Sequence, residues 1–182
     1  ALQNLAGNNT WSDLPITLGS DAAIGVAVAG ETLTITQPIT DNGSDYGVTK
    51  VGLGIVQYSA HSGVITNTTG DTVSPIVITS AAHGLKTGQQ VIIADVGGNT
   101  NANGTFTITV THPDEFALNG PTGNGAYAGG GAWRLLASNT YTGLTLVRAG
   151  ELQLNSAATA IQKDLQVGDD APVSQVQALS LT

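Results

Sequence analysis

Residues 139–155 read Asn139-Thr140-Tyr141-Thr142-Gly143-Leu144-Thr145-Leu146-Val147-Arg148-Ala149-Gly150-Glu151-Leu152-Gln153-Leu154-Asn155. Two short apolar-alternating runs, 144–147 and 152–154, flank Ala149-Gly150-Glu151. Alternation with a period of two is the pattern of a half-buried strand, and Gly between such runs marks a turn. The stretch therefore reads as strand, turn, strand, with no room for a helix.

The same pattern occurs 120 residues upstream. Ala29-Gly30-Glu31 is followed by Leu33 and Ile35, as Ala149-Gly150-Glu151 is followed by Leu152 and Leu154. Before the first copy, Ile24, Val26 and Val28 alternate on one strand face. Short strand–turn units that recur predict a solenoid, in which each coil buries its face on its neighbours.

Between the copies the pattern changes. Asp41-Asn42-Gly43-Ser44-Asp45 is a dense turn signal, and strand character resumes over 48–56, broken by Gly52 and Gly54. Residues 62–75 read as a polar connector. Strands are expected at 76–78, 90–94, 105–111 and 115–118, with Phe106, Ile108 and Val110 on one face of the third. Residues 95–104 and 119–132 read as Gly/Asn-rich loops. From Trp133 the strand–turn pattern returns. Residues 156–163 have room for one helical turn, Leu165 and Val167 precede a turn at Gly168-Asp169-Asp170, and 173–181 is a last strand candidate. The expected fold is all-β. A β-helix or solenoid-like region spans residues 1–61 and 134–182, and a small all-β module, a barrel or sandwich, is inserted over 62–133.

Composition narrows the function. The 182 residues carry 5 Lys and Arg against 13 Asp and Glu, a net charge of −8, with 24 Gly, about as many Thr, and no Cys or Met. Five basic residues build no nucleic-acid-binding face. Without cysteine there is neither a disulfide framework nor a thiolate metal site. Low charge with 41% hydrophobic residues is the opposite of a disordered chain. No apolar run nears the roughly 20 residues of a membrane-spanning helix. The chain begins at Ala1, as a mature form or an excised fragment would.

Residues 139–155 resemble the autotransporter-associated β-strand repeat, whose pattern is approximately N-T-Y-T-G-x-T-x-V-x-A-G-x-L-x-L. In that family a K-x-G-x-G-x-L-x-L-S-G-A piece comes immediately before. Here Lys50-Val51-Gly52-Leu53-Gly54-Ile55-Val56, followed by Tyr58-Ser59-Ala60, fits that piece but stands about 75 residues upstream. The separating segment is similar to another module. It carries Ile78-Thr79-Ser80-Ala81-Ala82-His83-Gly84-Leu85, Gly97-Gly98-Asn99, Asn103-Gly104-Thr105-Phe106, Phe116-Ala117-Leu118 and Gly129-Gly130-Gly131. These resemble the first catalytic-cysteine half-domain of ubiquitin-activating enzymes, a module that recurs in bacterial surface and phage tail proteins. The first resemblance implies a right-handed β-helix of a secreted or surface-displayed passenger protein. The second is of fold alone, since a chain without cysteine has no ubiquitin chemistry.

Candidate sites read as structural. His61, His83 and His112 lack ligand spacing, and His83 is expected to bond backbone within its turn. Asp41, Ser44 and Asp45 resemble a calcium loop without its closing glutamate, so the turn reading leads. Asp169-Asp170 has the same status, with weak surface calcium left open. Gly97-Gly98 and Gly129-Gly130-Gly131 lack the lysine and helix of a phosphate loop. Glu115 is the acid beside a core strand, but no strand presents two acids on one face, as a polysaccharide-cleaving β-helix requires. Asn8, Asn42, Asn67 and Asn103 open N-x-S/T sequons. Trp11, Tyr46, Tyr58 and Tyr127 are large aromatics that either pack or stack on sugars, and Trp133 and Tyr141 are expected to plug the solenoid at the module's exit.

The expectation is therefore no enzyme, no catalytic or metal residues and no cofactor. The chain reads as a structural protein of the bacterial exterior, a fibre subunit or adhesin stalk segment. Its uncapped β ends would pair with copies of itself or with adjacent repeats of a longer chain, and glycans or surfaces are further partners. A phage tail fibre is the first alternative and a polysaccharide-active β-helix the second.

Overall fold

The computed structural model describes residues 1–12, 14–156 and 158–168. The described residues are all-β apart from one 3-10 turn at Thr100–Ala102. The chain divides into two compact units, Ala1–Ala60 with the chain from Ser138, and His61–Ala137.

The first unit is a β-solenoid of stacked parallel strands. Its first coil holds β1 (Leu2–Asn4), β2 (Asn9–Trp11) and β3 (Ile16–Thr17). The second holds β4 (Ala22–Val26), β5 (Thr32–Ile35) and β6 (Ile39–Thr40). The third begins with β7 (Val48–Val51) and β8 (Ile55–Ser59).

The chain then leaves for 77 residues and returns at Ser138. It completes the third coil against β6, with the Thr140 N–H donating to the Ile39 carbonyl at 2.8 Å. The two pieces of the repeat pattern, 50–60 and 139–155, are thus consecutive along the solenoid.

The second unit adds β9 (Ser62–Val64), β10 (Asn67–Thr68), β11 (Val77–Thr79), β12 (Gln90–Gly97), β13 (Gly104–His112), β14 (Glu115–Leu118) and β15 (Gly129–Leu135). The solenoid resumes with β16 (Thr145–Val147), β17 (Glu151–Asn155) and β18 (Leu165–Val167).

Stacking order in the solenoid is β1-β4-β7-β16-β18 on one wall, β17-β8-β5-β2 on the second, and β3-β6 on the third. Every pairing is parallel. The register puts like on like: Leu33, Val56 and Leu152 form one column, and Ile35, Tyr58 and Leu154 the next. Inward columns bury Ile24, Val26, Leu33, Ile35, Ile39, Val48, Val56, Tyr58 and Tyr141.

A glycine with positive φ turns each coil out of the first wall, at Gly7, Gly30, Gly52, Gly150 and Gly168. Gly150 requires glycine twice over. Its φ is +69°, and a Cβ there would strike the Gly54 and Gly52 carbonyls and lie 2.7 Å from Lys50 Nζ.

In the second unit the strands run antiparallel in the order β10-β11-β14-β13-β12-β15-β9. Residues 62–68 serve both ends of that order. Val64 pairs with Ala132 of β15, and Asn67 pairs with Thr79 of β11. The core gathers Ile65, Ile76, Ile78, Val91, Ile93, Ile108, Phe116, Leu118, Trp133 and Leu135.

Several expectations need correction. The 62–75 connector contains β9 and β10. The 119–132 loop gives way to β15 at Gly129; three glycines with positive φ there pair with β12, which a pattern built on side chains does not register. Residues 156–163 form no helix among those described. Val28 is 44% exposed, because β4 ends at Val26 and the corner begins. Trp133 packs in the core of the second unit rather than plugging the solenoid, whereas Tyr141 does lie in the solenoid core. The 173–181 strand and Asp169-Asp170 lie outside the described residues.

Candidate functional site

The polar residues taken as candidates are bound into the backbone. Asp41, 1% exposed, accepts four hydrogen bonds. Gly43 N–H reaches Oδ1 at 2.9 Å, and Oδ2 takes Tyr46 N–H at 3.2 Å and both the N–H and hydroxyl of Thr142 at 2.9 Å. The Thr142 N–H above all, then the other donors, pull the Asp41 carboxyl down to about 2, against the opposing effect of desolvation. Both oxygens serve the corner, and one side chain ties the coil before the second unit to the chain returning after it.

Two further residues cross the same gap, and neither stood out in the sequence. Lys50 is 1% exposed, and its ammonium donates to the carbonyls of Val51 at 2.8 Å, Gly52 at 2.7 Å and Ala149 at 2.9 Å. Three donors meet three acceptors, which is how a buried cation is held without a carboxylate partner. Desolvation lowers its pKa from the ordinary lysine value. Asn139 accepts the Ile39 N–H at 2.8 Å and donates to the Ala160 carbonyl at 2.6 Å. The signal available for Lys50 was its place in an otherwise inward-facing column, Leu2–Ile24–Lys50–Val147–Val167.

The three histidines meet through their backbones. His61 Nε2 donates to the His83 carbonyl at 2.8 Å, and His83 Nε2 donates to the His112 carbonyl at 3.1 Å. Leu85 N–H reaches His83 Nδ1 at 3.0 Å, which fixes Nδ1 as the acceptor and puts the ring proton on Nε2. His61 and Phe116 each pack edge-on against Trp133, and His83 against Phe116. Trp133 Nε1 donates to Ser80 Oγ at 2.8 Å. These rings order the core. Among the described residues no group of three His, Asp or Glu converges.

The remaining candidates are dispersed. Glu115 faces His112 at 3.4 Å on the surface. Of the sequon asparagines, Asn8 accepts the Thr32 N–H, Asn103 bonds Val96 N–H and carbonyl, Asn42 sits in a tight turn and Asn67 lies in β10. Tyr127 donates to backbone carbonyls at Ile65 and Gly130. Tyr58 is buried, and desolvation followed by the neighbouring Tyr141 raises its phenol well above the usual value. A cavity of about 380 Å³ on the solenoid's first wall is lined by Asp21, Asp45, Thr49, Thr142 and Lys163; Asp45 pairs with Lys163 at 2.9 Å.

What remains unsatisfied is the ends of the solenoid. On the described residues, β1 and β2 have no strand on their outer side, and neither do β17 and β18. An edge strand offers a row of free N–H and C=O groups, which soluble proteins ordinarily blunt with lysine, proline or a bulge. Within these four strands the sole charged residue is Glu151. Trp11 and Leu154, at opposite ends, are 39% and 38% exposed. The geometry is that of a template for further strands.

The sequence matches no protein-family model, and no curated protein matches it.

Proposed function

We propose that this chain is a non-enzymatic structural protein of the bacterial exterior, a fibre subunit or adhesin stalk segment that assembles through its open β ends. The observation that carries the reading is the pair of unpaired, nearly uncharged strand edges at the two ends of a parallel stack. The ends are complementary, because each rung is parallel to the next and one end presents what the other accepts.

The solenoid winds right-handed, as connections between parallel strands of one sheet do, and belongs with the autotransporter-associated repeats it resembles. Its two motif pieces forming a single coil support that assignment. The second unit is a small closed barrel decorating the stalk, a reading supported by residues 62–68 bonding strands at both ends of the sheet order. Surface display accords with a cysteine-free, acidic chain.

Electron microscopy of the purified chain at rising concentration tests the reading. Filaments or end-joined rods are expected, and discrete particles at every concentration would contradict it.

A further inference from the structure

One inward column carries the contact between copies in finer detail. Trp11, Ile35, Tyr58 and Leu154 are successive members of a single ladder, in register across β2, β5, β8 and β17. The two inner members are buried, Ile35 at 2% and Tyr58 at 3%, whereas the two end members are exposed, Trp11 at 39% and Leu154 at 38%. Nothing in side-chain character separates the ends from the middle, since all four are large and apolar. The outer polar column beside it, Thr10, Thr34, Gln57 and Gln153, continues unbroken to both ends, with Gln57 Nε2 donating to Gln153 Oε1 at 2.9 Å.

We propose that the partner at these ends is a second copy of this chain, docked head to tail so that Leu154 of one copy packs on Trp11 of the next. The ladder then continues as if the two copies were one solenoid. The proposal rests on the assembly reading above and adds its register. A head-to-tail contact uses two different patches, so it propagates rather than closing as a pair. Large apolar side chains left exposed at a packed column end are the expected anchors, with tryptophan the type most enriched at such centres. The edge backbone supplies direction, because a parallel strand accepts its neighbour in one orientation. The edges oppose no charge except Glu151, whose carboxylate already accepts Gln153 Nε2 at 2.8 Å.

The test uses Trp11→Lys and Leu154→Lys in the full chain. A lysine at either position blocks one end and leaves the other intact. Neither variant alone should associate, whereas an equimolar mixture should form dimers and nothing larger in sedimentation velocity. In the unmodified chain, acrylamide quenching should fall as association proceeds, because Trp133 is 1% exposed and Trp11 supplies the accessible signal.

Association retained by either variant alone, or association that leaves Trp11 open to acrylamide, overturns this register while the assembly reading stands. An unmodified chain that stays monomeric overturns both. Leu154→Cys that resists maleimide in the dilute monomer would place another segment of the same chain on β17, and overturns the proposal too.

Discussion

The Asp41 carboxylate holds Thr142 twice, accepting its N–H and its hydroxyl at 2.9 Å each, across 101 residues of sequence. It closes the solenoid where the chain is interrupted. The folded carboxyl sits at about 2 against 3.8 ordinarily, so its contribution is complete above about pH 4 and is lost as pH falls toward 2. Asp41→Asn should lower the midpoint of thermal unfolding at neutral pH, and the gap from the unmodified chain should narrow on acidification to pH 2. Melting curves at several pH values check this; a pH-independent gap would contradict it.

Lys50 is sealed beneath the corner carbonyls, so its amine should resist acylation in the folded protein. Lys86 and Lys163, both on the surface, should react first. Lys50→Met leaves carbonyls without a donor and should cost roughly 1–3 kcal/mol of stability. Peptide mapping after brief treatment with an acylating reagent, with and without denaturant, reads the order of labelling.

Glycines separate cleanly into those that need space and those that need only their φ. Gly88 has φ +90° and nothing within 4 Å of a Cβ, so Gly88→Ala should cost about 1–2 kcal/mol from backbone strain alone. Gly150→Ala adds collision with two carbonyls and with the Lys50 ammonium, and should cost markedly more. Chemical denaturation of the two variants gives the comparison.

Trp133 anchors the second unit, at 1% exposure against Phe116, His61 and Ser80. Trp133→Ala should destabilise that unit by about 3–5 kcal/mol. The solenoid has a separate core, so hydrogen exchange should accelerate in β11–β15 and stay slow in β5 and β8. Uniform acceleration would contradict two independent cores.

The all-β class, the solenoid pattern and most strands were legible because their apolar residues alternate, as in β13, where Ile108 is fully buried and Phe106 and Val110 pack beside it. The Ala-Gly-Glu echo was legible too, but its phase was not. Glu151 pairs with Ile55, which also pairs with Thr32, so the second glutamate starts a strand while Glu31 lies in the corner. One corner is a residue longer, and only the stacked register reveals it. The β15 glycines were illegible because a strand held by backbone bonds alone has no side-chain period. The Asp41, Lys50 and Asn139 bonds were hidden because their partners lie about 100 residues away and become neighbours only once the interrupted coil closes.

The central claim is that the solenoid's open edges are its means of assembly. Amide hydrogen exchange as a function of protein concentration tests it most directly, read at β1, β2, β17 and β18. The account predicts rapid exchange at these strands in dilute solution and slow exchange once copies stack, with β5 and β8 slow throughout. Edge amides that exchange rapidly at every concentration, in a chain that elutes as a monomer, would contradict it.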